Sequence, residues 1–307
     1  MKIIFMGTPD FAVETFESLI KAGHEIVLAV TQPDRPKGRG GHMAISAVKE
    51  AALKEGIEVF QPVKIRESEN IEFLRKYDAD IIVVVAFGQI LPKEILDMPK
   101  YGCINVHASL LPKYRGASPI QWAVINGDKV SGVTIMKMGV GLDDGDIILQ
   151  REIELCKDET GGSLFDRLSK VGAELCLEAL AKIEDKSAVF TPQDESKATK
   201  VGIIKKQLGE IDFSGEAYKT ECLIRGLNPW PSAFTHLSGK ILKIWKAEVT
   251  DDEGKAGCVI KKDKTSLTVA CGKGALKITE LQIEGKKRMS AEEFLRGAHI
   301  NEGDFLG

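Results

Sequence analysis

Asn105-Val106-His107-Ala108-Ser109-Leu110-Leu111-Pro112-Lys113-Tyr114-Arg115-Gly116-Ala117-Ser118-Pro119 closes one apolar run and opens a turn punctuated by proline and glycine. The run leading into it, Gly102-Cys103-Ile104-Asn105-Val106-His107, reads as a strand. Side chains two residues apart on a strand share a face, so Asn105 and His107 should look the same way. They stand at the carboxyl end of that strand, where open α/β sheets place their ligands. An amide donor beside an imidazole suits chemistry at a carbonyl, which needs a fixed donor for developing charge and a group that moves protons. A polar strand end with a solvated histidine is the alternative that spacing alone leaves open.

Upstream, Lys2-Ile3-Ile4-Phe5-Met6 reads as a buried strand, and Gly7-Thr8-Pro9-Asp10 follows. Thr8 can cap a helix with Pro9 at its first position, running to about Lys21 and ending at Gly23. A strand, a turn and a helix in this order invite comparison with dinucleotide folds, but one glycine stands where that fingerprint needs three, so no NAD site is expected. Glu25 to Thr31 is a second strand. Gln32-Pro33-Asp34-Arg35-Pro36-Lys37-Gly38-Arg39-Gly40-Gly41-His42 follows, a basic loop in which proline and glycine oppose regular structure. Its three cations, Arg35, Lys37 and Arg39, fit either a solvated connection or an arm reaching for phosphates. A helix from about Ile45 to Lys54, a strand over Glu58 to Phe60 and a polar helix from about Glu67 to Lys76 lead to Ile81-Ile82-Val83-Val84-Val85-Ala86. That β-branched run is the pattern of a central parallel strand buried on both faces. Phe87-Gly88-Gln89-Ile90-Leu91-Pro92 at its end fits the wall of a flat ligand site and a packed core turn equally well. Strands alternating with helices imply a doubly wound, mostly parallel sheet.

Downstream, Ser118-Pro119 starts a helix that stops at Gly127. Val133 to Met138 and Ile147 to Ile153 read as two strands joined by Gly139-Val140-Gly141-Leu142-Asp143-Asp144-Gly145-Asp146. This acidic loop lacks EF-hand spacing, and its interest depends on whether Asp143 or Asp144 approaches His107. Thr160 to about Glu184 is a long amphipathic helix. Periodicity then fails among Pro, Gln, Asp, Ser and Lys residues. The expected organisation is a first domain over 1–188, a linker over 189–206 and a second domain over 207–307. In the second domain a helix near Gly215 to Arg225 and the sequence Asn228-Pro229-Trp230-Pro231 precede short strands, the pattern of a small β-barrel. Lys261-Lys262-Asp263-Lys264 and Lys286-Lys287-Arg288 are its surface cations.

The 307 residues are 43% hydrophobic and 28% charged, with a net charge of −3, ordinary values for a globular chain long enough for two domains. Residues 205–307 hold 17 basic and 15 acidic residues, a charge of +2 that leaves −5 for the first 204. A general polyanion-coating role is thereby disfavoured, while local nucleic-acid contact is permitted. Six scattered cysteines without metal-type spacing fit free thiols in a reducing cytosol and no structural zinc. No long apolar run spans a membrane, and a strand pattern from Lys2 leaves no room for a signal peptide, so the mature chain is expected to start at Met1.

Taken together these pieces resemble the methionyl-tRNA formyltransferases over nearly the whole length. The resemblance rests on Phe5-Met6-Gly7-Thr8-Pro9-Asp10-Phe11, Thr31-Gln32-Pro33-Asp34-Arg35-Pro36, His107-Ala108-Ser109-Leu110-Leu111-Pro112, Tyr114-Arg115-Gly116-Ala117-Ser118-Pro119-Ile120-Gln121-Trp122, Gly141-Leu142-Asp143 and Asn228-Pro229-Trp230-Pro231. It implies a Rossmann-like formyltransferase domain, an OB-like C-terminal β-barrel that grips tRNA, and 10-formyltetrahydrofolate as co-substrate with no metal. The family's catalytic Asn, His and Asp fall on Asn105, His107 and Asp143. The folate site is expected at Phe87, Gly88, Gln89, Ile90 and Leu91, with Ser109, Leu110, Leu111, Pro112 and Asp143. Initiator methionyl-tRNA is expected to meet Arg35, Lys37 and Arg39, and Lys262, Lys286 and Lys287 in the C-terminal domain. A cytoplasmic monomer without membrane partners is implied. The sequence departs from the family pattern at Gly41-His42-Met43-Ala44-Ile45-Ser46, where a lysine-rich, proline-containing version is common. It departs again at Lys137-Met138-Gly139, where an acidic residue usually precedes the turn. Rival readings are formyl transfer to a small amine, a non-catalytic tRNA-binding protein on the same scaffold, and a dinucleotide-dependent reductase.

Overall fold

The computed structural model describes residues 1–37 and 42–307, the side chains of Lys37 and His42 excepted. The described chain sorts into two compact units. The first comprises Met1–Gly116, Ser131–Ile153 and Phe165–Lys200, and the second Ala117–Val130, Glu154–Leu164 and Val201–Gly307.

In chain order the elements through the first unit are β1 (Lys2–Gly7), α1 (Phe11–Lys21), β2 (Glu25–Val30), β3 (Arg35–Lys37), β4 (His42–Ala44), α2 (Ala47–Lys54), β5 (Val59–Phe60), α3 (Ser68–Arg75), β6 (Ile81–Val85), α4 (Lys93–Leu96), β7 (Cys103–His107) and β8 (Arg115–Gly116). After α5 (Pro119–Ile125) come β9 (Val130–Lys137), β10 (Ile147–Glu154) and α6 (Gly161–Glu184). One seven-stranded sheet runs in the order β10-β9-β7-β6-β1-β2-β5. The pairs β5 with β2, β2 with β1, β1 with β6 and β6 with β7 are parallel, and β7 pairs antiparallel with β9. The expected mostly parallel sheet is therefore present. All five residues of β6 are buried, as a strand covered on both faces requires. One face packs Ile4, Met6, Leu28, Ile82 and Val84 into a core with Phe87 and Leu91. On α1, Phe11, Ala12, Thr15, Phe16 and Leu19 are buried, at the spacing of an amphipathic helix. Gly172 of α6 comes so close to the sheet that a Cβ there would lie 2.9 Å from Val106 Cγ1.

The chain passes from β1 outward through β2 and β5, then returns to the other side of β1 for β6 and β7. The strand order thus reverses between β1 and β6, and their carboxyl ends flank the crevice in which such sheets bind ligands. Thr8 stands there in a role other than the cap read from sequence. Its hydroxyl donates to the Phe87 carbonyl at 3.2 Å and accepts from Gln32 N–H at 3.3 Å, and α1 begins only at Phe11. The hydroxyl serves three strand ends rather than one helix. A second difference lies in the basic loop, where β3 and β4 form a short antiparallel ladder with Pro36 opposite Met43. A two-stranded ribbon is all edge, which is where a strand tolerates proline.

The second unit continues with β11 (Lys200–Val201), α7 (Ala217–Gly226), β12 (Ala233–Leu237), β13 (Lys240–Thr250), β14 (Val259–Lys262), β15 (Leu267–Ala270), β16 (Ala275–Ile283), β17 (Met289–Ser290) and α8 (Ala291–Leu295). An antiparallel sheet in the order β12-β13-β16-β15-β14, with β17 on β16, packs Leu242, Ile244, Leu267, Val269, Ile278 and Leu281 into a core. No ladder joins β12 to β14 among the described residues, so this unit is a β-rich sheet without the closure of the expected barrel. Helix α5 belongs to it because α7 crosses at a glycine, where a Cβ on Gly226 would lie 2.4 Å from Ile125 Cγ1. No helix of the described residues is long and apolar enough to cross a membrane.

Candidate active site

Strand β7 is buried along its length and ends at His107. Asn105 pairs with Val84 on one side and Met136 on the other, so its position is fixed by two neighbouring strands. Asn105 is 9% exposed and His107 6%, and among the described residues no hydrogen bond uses the Asn105 side chain. His107 Nε2 lies 3.0 Å from the Tyr114 carbonyl oxygen. A carbonyl can only accept, so Nε2 carries the proton and Nδ1 faces the other way. There Asp143 Oδ2 stands 3.8 Å from Nδ1. That separation exceeds a direct hydrogen bond.

The turn after β7 is tied down by buried polar groups. Thr134 Oγ1 donates to Ser109 O at 2.6 Å and accepts from Leu111 N–H at 3.0 Å. Gln150 Nε2 donates to Leu111 O at 2.7 Å, and Ser109 Oγ donates to Lys113 O at 2.7 Å. The Leu111–Pro112 peptide is cis. Residues 191–200 add a strap across this turn. Thr199 N–H donates to Pro112 O at 3.1 Å, its Oγ1 accepts from Tyr114 N–H at 2.8 Å, and its carbonyl accepts from Arg115 N–H at 2.8 Å.

The Asp143 loop joins β9 to β10. Gly145 is sterically required, since a Cβ there would lie 1.7 Å from the main-chain Lys137 O, whereas one on Gly141 would meet only the Asp144 side chain, at 1.8 Å from Oδ2. Asp143 has φ of 49°, in the left-handed region uncommon outside glycine. Its Oδ2 accepts from Gly116 N–H at 2.7 Å. Gln193 Nε2 donates to Asp143 O at 2.9 Å and Gly145 O at 2.8 Å, while Gln193 Oε1 accepts from Arg115 Nε at 3.0 Å. Arg115, 3% exposed, is paired through both terminal nitrogens with Glu195, a bond that holds the Glu195 carboxyl below the usual range. Gln193 and Glu195 have no signal as site residues in the sequence, and Arg115 is marked only as part of the motif Tyr114 to Trp122. The first two lie in a polar stretch without periodicity, and their partners are far away in the chain.

The loop 87–91 divides by function. Phe87 and Leu91 are core residues, Gln89 is bonded to the main chain of Pro62 and Ile65, and Ile90 is 80% exposed. With Val140 at 73% and Leu142 at 53%, Ile90 gives these loops exposed apolar side chains. A cavity of about 500 Å³ at the carboxyl ends of β1, β2 and β6 is lined by Thr8, Gln32, Arg35, Ser46, Phe87 and Gly88. The base of the basic loop is anchored by Asp34, which accepts from Lys49 at 2.5 Å and Gln61 at 2.8 Å. Arg39 lies outside the described residues, as does the Lys37 side chain. In the second unit Lys286 and Lys287 are exposed, whereas Lys262 Nζ donates to Ile300 O at 2.8 Å. Among the described residues no His, Cys, Asp and Glu cluster could hold a metal ion.

Comparison with known proteins gives this geometry a context. Residues 1–180 match the family described as formyl transferase, and residues 203–299 match the formyl transferase C-terminal domain. The chain is 61% identical to a methionyl-tRNA formyltransferase of Agathobacter rectalis, covering 100% of this chain and 99% of the relative. It is 54% identical to a methionyl-tRNA formyltransferase of Lachnospira eligens, over the whole of both chains. Among solved structures, an N-formyltransferase from Helicobacter canadensis in complex with folinic acid and dTDP-3-aminofucose superposes with a TM-score of 0.66. Its identity is 17%, covering 91% of this chain and 98% of that one, a likeness of fold.

Proposed function

This chain belongs to the formyl transferase family, and we propose that it transfers a formyl group from 10-formyltetrahydrofolate to the free amino group of initiator methionyl-tRNA. The observation that carries this reading is His107 facing Asp143 at 3.8 Å at the carboxyl end of β7, with Asn105 two residues earlier on that strand, in a chain matching methionyl-tRNA formyltransferases end to end.

The reaction forms a bond between the amine nitrogen and the formyl carbon and breaks the bond from that carbon to the folate nitrogen. One proton leaves the amine and one reaches the departing nitrogen. As the amine attacks, negative charge grows on the formyl oxygen, and the unspent Asn105 amide is the donor for it. His107 is held by Tyr114 O so that Nδ1 is free to take and return a proton. Asp143, across a gap of 3.8 Å, stabilises the charged imidazole and carries the proton onward through its carboxylate. A free α-amino group with a pKa of about 7.7–8.0 is partly unprotonated near neutrality, so this set can work at physiological pH.

The exposed apolar side chains Ile90, Val140 and Leu142 support a flat ring between the 87–91 and 139–146 loops, with main-chain groups of Gly88, Gln89 and Ser109 to Pro112 reading its polar edge. The cavity bordered by Arg35 supports entry of the acceptor end from the side of the basic loop, with Lys37 and Arg39 on phosphates. The β-rich second unit, read as OB-like, supplies Lys286 and Lys287, with Lys262 contributing less. The enzyme acts as a cytoplasmic monomer.

Incubating the protein with methionyl-tRNA and 10-formyltetrahydrofolate tests the proposal, with N-formylmethionyl-tRNA as the expected product. Formylation of an amino-sugar nucleotide or of glycinamide ribotide, with methionyl-tRNA left untouched, would overturn it.

A further inference from the structure

We propose that Gln193 is a positioning residue for the reaction, setting through its side-chain amide where the Asp143 carboxylate stands relative to His107. The proposal rests on the assignment of Asn105, His107 and Asp143 as the reacting set.

The amide of Gln193 is fully spent on this task. Its two protons go to two carbonyls of one loop, Asp143 O at 2.9 Å and Gly145 O at 2.8 Å. Its oxygen accepts from Arg115 Nε at 3.0 Å. Arg115 is in turn locked, with Nη1 and Nη2 on Glu195 at 3.0 and 2.6 Å and its backbone N–H on Thr199 O at 2.8 Å. The next residue, Gly116, donates its N–H to Asp143 Oδ2 at 2.7 Å. Adjacent residues thus grip the loop twice, through Gln193 at its carbonyls and directly at its carboxylate.

Asp143 needs such a grip. Its φ of 49° is a conformation that persists only where the surroundings over-determine it. The two carbonyls that Gln193 holds bracket Asp144, so the amide spans the stretch that includes the carboxylate. The hydrogen bonds of the Arg115 guanidinium go to Glu195 and Gln193, and the Asp143 carboxylate accepts its own from the Gly116 N–H. The donors that hydrogen-bond the loop, the Gln193 amide and the Gly116 N–H, are therefore neutral.

The test compares Gln193→Met, Gln193→Glu and Asp143→Ala in the full chain. Gln193→Met keeps the shape and removes the hydrogen bonds, and Gln193→Glu turns both donors into acceptors facing carbonyl oxygens. We expect kcat to fall about 10- to 100-fold in Gln193→Met, since small misplacement of a reacting group costs that much, and further in Gln193→Glu. KM for both substrates stays near wild type, and hydrogen exchange of residues 139–146 and of Gly116 N–H speeds up. Wild-type kcat in Gln193→Met beside an inactive Asp143→Ala would overturn the positioning role and leave the site assignment standing. A lowered melting temperature with unchanged kcat would show a purely structural glutamine and also overturn it. Full activity of Asp143→Ala would overturn the site assignment, and this proposal with it.

Discussion

Asp143 Oδ2 and His107 Nδ1 stand 3.8 Å apart while the nearer hydrogen bonds of both side chains go to main chain, Gly116 N–H on the carboxylate and Tyr114 O on the imidazole. The two groups are thus aimed at each other without being joined. A direct bond would spend Nδ1 on the carboxylate, whereas the gap leaves it able to exchange a proton with a third group.

Removing either member of the strand-end pair should separate the two tasks. Asn105→Ala is expected to slow single-turnover formylation about 10²- to 10³-fold, the usual cost of losing a donor to a developing oxyanion. His107→Ala should cost about 10²- to 10⁴-fold, with the melting temperature little changed. Appreciable turnover in purified His107→Ala would refute its role.

Gly145→Ala probes the loop from its backbone. The new Cβ would meet Lys137 O at 1.7 Å, and since that atom is main chain, the loop must move. A fall in kcat of about 100-fold is expected, together with a lower melting temperature, because the displacement carries Asp143 with it. Gly215→Ala is the control, having no atom within 4 Å of its Cβ, and should leave both unchanged. Equal behaviour of the two variants would sever the loop's backbone from catalysis.

The run Ile81 to Val85 and the two-residue spacing of Asn105 and His107 are local patterns, and local periodicity survives folding. Gln193 and Arg115 gave no such signal, because their side-chain bonds join segments 48 to 80 residues apart in the chain. Thr8 looked like a cap because the neighbouring proline is local information, while its partners Gln32 and Phe87 are not. The short strands of the second unit were legible one by one. That the sheet stays open was not, since closure depends on pairing between edges. The transfer of α5 into the second unit turned on close approach at Gly226, which composition cannot show.

Salt dependence separates the cations of the second unit. Lys286 and Lys287 are exposed and make no ion pair among the described residues, whereas the Lys262 ammonium is engaged by Ile300 O. Replacing both Lys286 and Lys287 with Gln should reduce the slope of log K against log salt for tRNA binding by about 1.4–1.8, or 0.7–0.9 per phosphate contact. Lys262→Gln should change it little. Titrations over a range of salt concentrations measure both, and an unchanged slope in the double variant would make those lysines mere surface charge.

Acid should reveal a turn in the second unit. Asp263 accepts from Ser266 Oγ at 2.7 Å, from Thr265 N–H at 2.7 Å, from Ser266 N–H at 2.8 Å and from Thr265 Oγ1 at 3.0 Å. These bonds, the Ser266 hydroxyl foremost, pull its pKa from 3.8 to about 2. A carboxyl whose folded pKa lies below its unfolded value stabilises the fold fully above the unfolded value and loses that contribution as pH falls through the folded one. Asp263→Ala should therefore melt about 1–2 °C below wild type at pH 7, the scale expected for losing exposed hydrogen bonds in a chain of this size. The gap should close as pH falls from about 4 to about 2, where the wild-type carboxyl also becomes neutral. Paired denaturation series at pH 7, 4 and 2, with each protein as its own reference, measure that closure. A gap of constant size would mean that Asp263 acts through the shape of the turn rather than through its charge.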